Sequence, residues 1–129
     1  MDILSLETNI AIDILNGDQT ILQQVENAEV VCLPVIVVGE LLYGARNSRR
    51  SADNLALYQA FIKACRILPI DQQVAEEYSL IRKKLKSIGR PIPENDIWIA
   101  AISRVNNISL ITRDQHFGYV EGLELISLS

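Results

Sequence analysis

A chain of 129 residues, 49% hydrophobic and 22% charged, is long enough for one compact domain, residues 1–129, with a real core. Its richest apolar run, Val30 to Val38, falls short of the roughly 18 residues that cross a bilayer, and Met1-Asp2-Ile3-Leu4 lacks the basic stretch of a signal peptide. The formal charge of −4 argues against holding nucleic acid by charge alone, although bound metal ions let an acidic protein grip phosphate all the same.

The first predicted element is a short buried strand, Ile3 to Leu6, followed by a helix that starts near Thr8 or Asn9, runs from about Ile10 to Leu15 and stops at Asn16-Gly17. Asp18 is a plausible N-cap for a second helix ending at Val25. Val30 to Leu33 reads as a β-branched strand ended by Pro34, with helices following near Ile36 to Arg46 and from Ser51 to Ala64. Ile67 and Leu68 make a brief strand, and Asp71 caps the longest helix, to about Ser87. Gly89-Arg90-Pro91-Ile92-Pro93 cannot continue that helix. Glu94 to Val105 is again helical, Ser109 to Thr112 is a strand, and Leu123 to Ile126 is the last one. Short apolar strands alternating with helices predict an α/β fold, a short central parallel sheet covered by helices on both faces. Cys32 and Cys65, far apart in sequence, read as reduced thiols of a cytoplasmic protein.

Four acids stand out against that map. Glu7 follows the first strand and Asp114 a later one; Glu40 lies in the helix after the second strand, and Asp96 sits in the first turn of the helix that starts at Glu94. Ligands of open parallel sheets bind beyond the carboxyl ends of the strands. Carboxylates that converge there repel one another unless a cation neutralises them, and Mg²⁺ or Mn²⁺ favours such oxygen ligands. Such an ion orients a water and stabilises charge on a phosphodiester. Each acid alone has a plainer reading: Glu7 and Asp96 as first-turn residues favoured by the helix dipole, Asp114 as a turn residue. Glu40 is the exception, because Val37, Val38, Leu41 and Leu42 around it describe a buried helix, where a lone charge needs a partner.

The segments Leu6-Glu7-Thr8-Asn9, Gly39-Glu40-Leu41-Leu42-Tyr43-Gly44-Ala45, Asn95-Asp96-Ile97-Trp98-Ile99-Ala100-Ala101 and Thr112-Arg113-Asp114-Gln115-His116-Phe117, in this order and spacing, resemble the PIN domain, specifically the VapC-type toxins of toxin–antitoxin pairs. The resemblance spans nearly the whole chain. It implies a PIN-like three-layer fold and an endoribonuclease that uses Mg²⁺ or Mn²⁺ held by Glu7, Glu40, Asp96 and Asp114. Thr112 is then a supporting hydroxyl and Asn9 orders the loop of the first acid. The implied partners are an RNA substrate, a VapB-like antitoxin that wraps the toxin and reaches the acidic pocket with a basic side chain, and a second copy of the chain in a homodimer. Operator DNA is reached only through the antitoxin, and no membrane is involved. For any single cation of the clusters Arg46, Arg49, Arg50 and Arg82, Lys83, Lys84, Lys86, Arg90 the favoured reading is solvated helix or loop surface, with a route for the RNA backbone along some of them as the alternative.

One position departs from the family pattern, which has aspartate where this chain has Glu7. The extra methylene moves the carboxylate by about 1.5 Å, and Mg²⁺ demands near-ideal octahedral geometry. The expectation is weaker metal binding or slow cleavage. The alternative is a catalytically inactive PIN-fold binding module that acts through its antitoxin complex, a reading favoured by Glu7 and opposed by the other three acids. A phosphate-accepting receiver-type domain is set aside, since it wants an aspartate after the first strand. Of the lesser candidates, His116 reads as a surface or helix-start residue with a catalytic role as the lesser alternative, Glu94 as a solvated acid or an auxiliary one, and Trp98 and Tyr43 as core or dimer-contact residues. Leu57, Tyr58 and Phe61 are candidates for an antitoxin groove, or for plain core.

Overall fold

The computed structural model describes residues 2–128. Strand β1 (Ile3–Leu6) leads through helices α1 (Thr8–Leu15) and α2 (Gln19–Val25) to β2 (Val30–Pro34). Helices α3 (Val35–Arg46) and α4 (Ser51–Ala64) follow, then β3 (Arg66–Leu68), α5 (Gln72–Ser87) and α6 (Glu94–Asn106). After β4 (Ser109–Thr112) a 3-10 helix, Gln115–Tyr119, connects to β5 (Leu125–Ser127). All pairings are parallel, in the order β3-β2-β1-β4-β5.

Side chains alternate between the faces of a strand, so consecutive buried residues mean that both faces are covered. Leu4, Ser5 and Leu6 of β1 and Leu110, Ile111 and Thr112 of β4 are such runs. The three-layer arrangement expected from the alternation of strands and helices is therefore present. Helix α6 carries an unbroken buried run from Ile99 to Ser103, and the Ser103 hydroxyl is satisfied by donating to the Ile99 carbonyl at 2.9 Å.

The strand order places the site. From β1 the chain moves to β2 on one side, while β4 enters on the other, with Leu6 opposite Ile111. Beyond the carboxyl ends of β1 and β4 this reversal opens a crevice.

Local chemistry explains most boundaries. Asp18 accepts from the backbone N–H groups of Thr20 and Ile21, and Asp71 from that of Val74 at 2.9 Å, each satisfying donors that a helix start leaves free. Helix α1 begins at Thr8, one of the two starts read from the sequence, and the side chain of Glu7 caps it. The last strand lies two residues later than predicted at its start. Gly122, at φ +76°, turns the chain after the 3-10 helix, and the Leu110 N–H takes the Glu124 carbonyl at 2.9 Å as the segment joins the sheet.

Pairing of β2 with β3 sets Cys32 opposite Arg66 and so brings Cys65 alongside Cys32, which sequence separation had hidden; both thiols are free. Burial, with Cys32 as neighbour, pushes the Cys65 thiol up to about 11. Tyr43 is 70% exposed and does not belong to the core. Trp98 is half-buried, stacked on Tyr78 with ring centres 3.9 Å apart. Tyr58 and Phe61 pack against the core, leaving Leu57 as the exposed member of that trio.

Candidate active site

Beyond the carboxyl ends of β1 and β4 lies a cleft of about 420 Å³, walled by Glu7, Thr8, Asn9, Glu40, Pro93, Glu94, Asn95, Asp96 and Asp114. All four acids singled out in the sequence therefore face one space. A wider cleft of about 660 Å³ opens at the opposite edge of the sheet, where Ile3 and Ser109 begin their strands, but it gathers none of them.

Each acid arrives by a different local route. Glu7 ends β1 and caps α1: its Oε2 accepts from the Asn9 N–H at 2.9 Å, while Oε1 is buried with no partner. Glu40 is delivered by α3, and its Oε1 accepts from the Thr8 hydroxyl at 2.6 Å. Asp96 stands in the first turn of α6, which Pro93 starts with an extended φ of −53° and ψ of 142°. Its Oδ2 lies 2.9 Å from His116 Nε2. Asp114 follows β4, and its backbone N–H donates to the buried Thr112 hydroxyl at 2.9 Å, which shapes the turn that carries it.

Crowding of acids away from water shows in their protonation. Burial, and after it the charges of Asp114, Asp96 and Glu40, outweigh the Asn9 bond and push Glu7 from 4.5 up to about 7. Asp96 is also raised, first by burial, with His116 opposing and the charges of Glu40 and Asp114 adding.

Three ligand atoms, one each from Asp96, Asp114 and His116, lie within 4.8 Å of one another. A buried carboxylate oxygen without a partner, beside further carboxylates, is a costly arrangement that a hard divalent cation relieves. The donor set and the orphaned Glu7 Oε1 fit such an ion. Glu7 and Glu40 share the cleft but stand outside the tightest trio, and His116, read from the sequence as a surface or helix-start residue before a catalytic one, lies at the start of the 3-10 helix and stands inside it. Nothing in the spacing of a lone histidine signals a partner 20 positions away.

Cations are arranged around this centre, not in it. Arg113, next to Asp114 in sequence, is turned away and bonded to Asp13 and Asp18. Arg82 pairs with Glu94 at 3.5 Å and donates to the Tyr78 hydroxyl at 2.7 Å, while that hydroxyl donates to Glu94 at 2.6 Å. Arg82, Lys86 and Glu94 also line a neighbouring cavity of about 310 Å³, so the two spaces meet at Glu94.

Comparison with known proteins gives a consistent picture. The PIN domain family profile matches residues 5–123. A ribonuclease VapC2 of Haemophilus influenzae is 32% identical over 111 residues, 84% of each chain. A tRNA(fMet)-specific endonuclease VapC of Shigella flexneri is 31% identical over 121 residues, 92% of each. In the solved structures, the chain superposes on one from VapBC2 of Rickettsia felis bound to a DNA fragment from its promoter, with a TM-score of 0.91 and 25% identity over 98% of this chain and 99% of that one.

Proposed function

As the chain belongs to the PIN-domain family, in its VapC branch, we propose that it is a metal-dependent endoribonuclease, the toxin of a type II toxin–antitoxin pair. The observation that carries this reading is the buried, unpartnered Glu7 Oε1 in a cleft shared with Glu40, Asp96 and Asp114. Glu7, Glu40, Asp96 and Asp114 are proposed as the residues that hold Mg²⁺ or Mn²⁺, with Thr112 and Asn9 supporting them. When bound, the ion supplies a water made more acidic and charge stabilisation at the scissile phosphate. The chain's own part is positional: Asn9 fixes Glu7, Thr8 fixes Glu40, and Thr112 shapes the turn that presents Asp114. Likeness to a VapBC–promoter DNA complex supports a VapB-like antitoxin as partner, with DNA contacted through that complex. A homodimer completes the proposed assembly.

Glu7 is proposed to weaken the activity. It spends one oxygen on capping α1, and its other oxygen holds a proton at near-neutral pH that a cation has to displace. Taken further, the same observation favours a second reading, an inactive module working only through its antitoxin complex.

Mn²⁺-dependent cleavage of a fluorogenic RNA separates the two, with Glu7→Asp and Asp96→Asn assayed beside the unaltered chain. An attenuated nuclease gains about 10-fold to 10²-fold in Glu7→Asp, in line with the cost of an ångström of misplacement, and goes silent in Asp96→Asn. Equal rates in the unaltered chain and Glu7→Asp sink the attenuation. Silence in both supports the inactive module.

A further inference from the structure

Three of the four acids share a construction. Glu7 gives one oxygen to the Asn9 N–H, Glu40 gives one to the Thr8 hydroxyl, and Asp96 gives Oδ2 to His116. In each case a tether takes one oxygen and leaves the other without a hydrogen-bond partner among the described residues. The tether of Glu7 comes from the start of α1, next to it in sequence, whereas the tether of Glu40 reaches across 32 positions, from Thr8 of α1 to α3. That of Asp96 comes from the 3-10 helix beyond β4, which only the tertiary fold brings near.

We propose that His116 is a positioning residue, which holds the Asp96 carboxylate from behind so that Oδ1 faces the divalent cation. This rests on the metal-dependent reading above. Nε2 and Oδ2 are 2.9 Å apart, and no other side-chain or backbone group among the described residues bonds to the Asp96 carboxylate. An ionised carboxylate only accepts, so the histidine nitrogen carries the proton and donates it. Although its ring nitrogen is close to both Asp96 and Asp114, His116 is not part of the cleft wall, whereas both acids are. The imidazole thus stands beside the two acids, bonded to one of them. Its own place is set by Phe117, a fully buried neighbour whose ring centre lies 4.8 Å from that of the imidazole. A single short segment, Asp114 to Phe117, thus supplies one acid, the tether of a second, and the anchor for that tether.

Partners that orient a metal-binding carboxylate contribute about 10-fold to 100-fold in metal affinity. The test is calorimetric titration of the full chain with Mn²⁺ at fixed pH, together with pulsed EPR of the Mn²⁺-loaded protein. His116→Ala is expected to bind Mn²⁺ about 10-fold to 100-fold more weakly. His116→Gln, whose amide N–H occupies the place of Nε2–H, is expected to recover most of that loss. The chain has one histidine, so any imidazole-nitrogen coupling to Mn²⁺ in the EPR comes from His116, and none is expected. Observed coupling makes His116 a ligand and overturns the proposal. So does unchanged affinity in His116→Ala, or a Gln variant as weak as the Ala one. An unaltered chain that takes up no Mn²⁺ overturns the metal-dependent reading itself, and is told apart from the other failures by that result.

Discussion

Glu7 and Asn9 share a 2.9 Å bond that uses one carboxylate oxygen as a helix cap and leaves the other, Oε1, buried without a partner. Stability should therefore depend on pH in an unusual direction. Glu7 titrates at about 7 in the folded chain, against 4.5 ordinarily. The folded state then binds the proton more tightly than the unfolded one between these values. The contribution is fully present below the unfolded value and is lost as pH rises through the folded one. From pH 5.5 to 8 the loss is up to about 2 kcal/mol, and Asp96, also raised, adds in the same sense. Thermal melts of the metal-free protein should fall by several degrees over that interval. Glu7→Gln should flatten the curve, and millimolar Mn²⁺ at pH 8 should restore the lost stability. A melt that rises across the interval contradicts this account of Glu7.

The bond between the Thr8 hydroxyl and Glu40, 2.6 Å long, ties the first turn of α1 to α3. Thr8→Val keeps the shape and removes the donor, leaving a part-buried charge without its partner. It should cost about 1.5–3 kcal/mol, read from urea unfolding, and weaken Mn²⁺ binding. Glu40→Gln keeps an acceptor for the hydroxyl, so its stability should stay close to that of the unaltered chain while RNA cleavage falls. The opposite pattern, a stable Thr8→Val and an unfolded Glu40→Gln, would show that the bond is incidental.

Arg82 and Lys86 line the cavity that meets the cleft at Glu94. An acidic centre in a chain of net charge −4 needs cations at its margin to hold a polyanion. Replacing both by alanine should raise KM for RNA and leave kcat within a few-fold. The slope of log KM against log salt should fall by about 1.4 for a single-stranded substrate, two phosphate contacts in all. An unaltered salt slope would remove this route for the backbone.

The four acids were legible in the sequence because two of them follow strands, and the resemblance supplied the order of the rest. Parallel pairing of β1 with β4 explains why residues so far apart in sequence share a cleft. His116 was legible only as a minor candidate, since the Asp96 it bonds lies in another element and a single histidine has no periodicity to betray it. The start of α1 near Thr8 was legible but its cap was not, because glutamate is not among the usual capping residues, yet Glu7 fills that position here. The last strand was placed early because Leu123 looks apolar enough to open it, whereas the turn at Gly122 has first to bring the chain back to the sheet. Tyr43 was ambiguous for a different reason: an aromatic ring in an apolar helix gives no sign of facing outward until the helix is docked.

The central place of β1 also bears on how the protein is made. One edge of this strand pairs with β2 and the other with β4, near the end of the chain. During synthesis Glu7 and Glu40 emerge first, but the strand that closes the crevice and presents Asp114 follows about 70 residues later, roughly 4–15 s at ordinary elongation rates. A chain whose β4 has not yet emerged therefore lacks both Asp114 and the strand that closes the crevice, so the four proposed acids cannot share one cleft before that point.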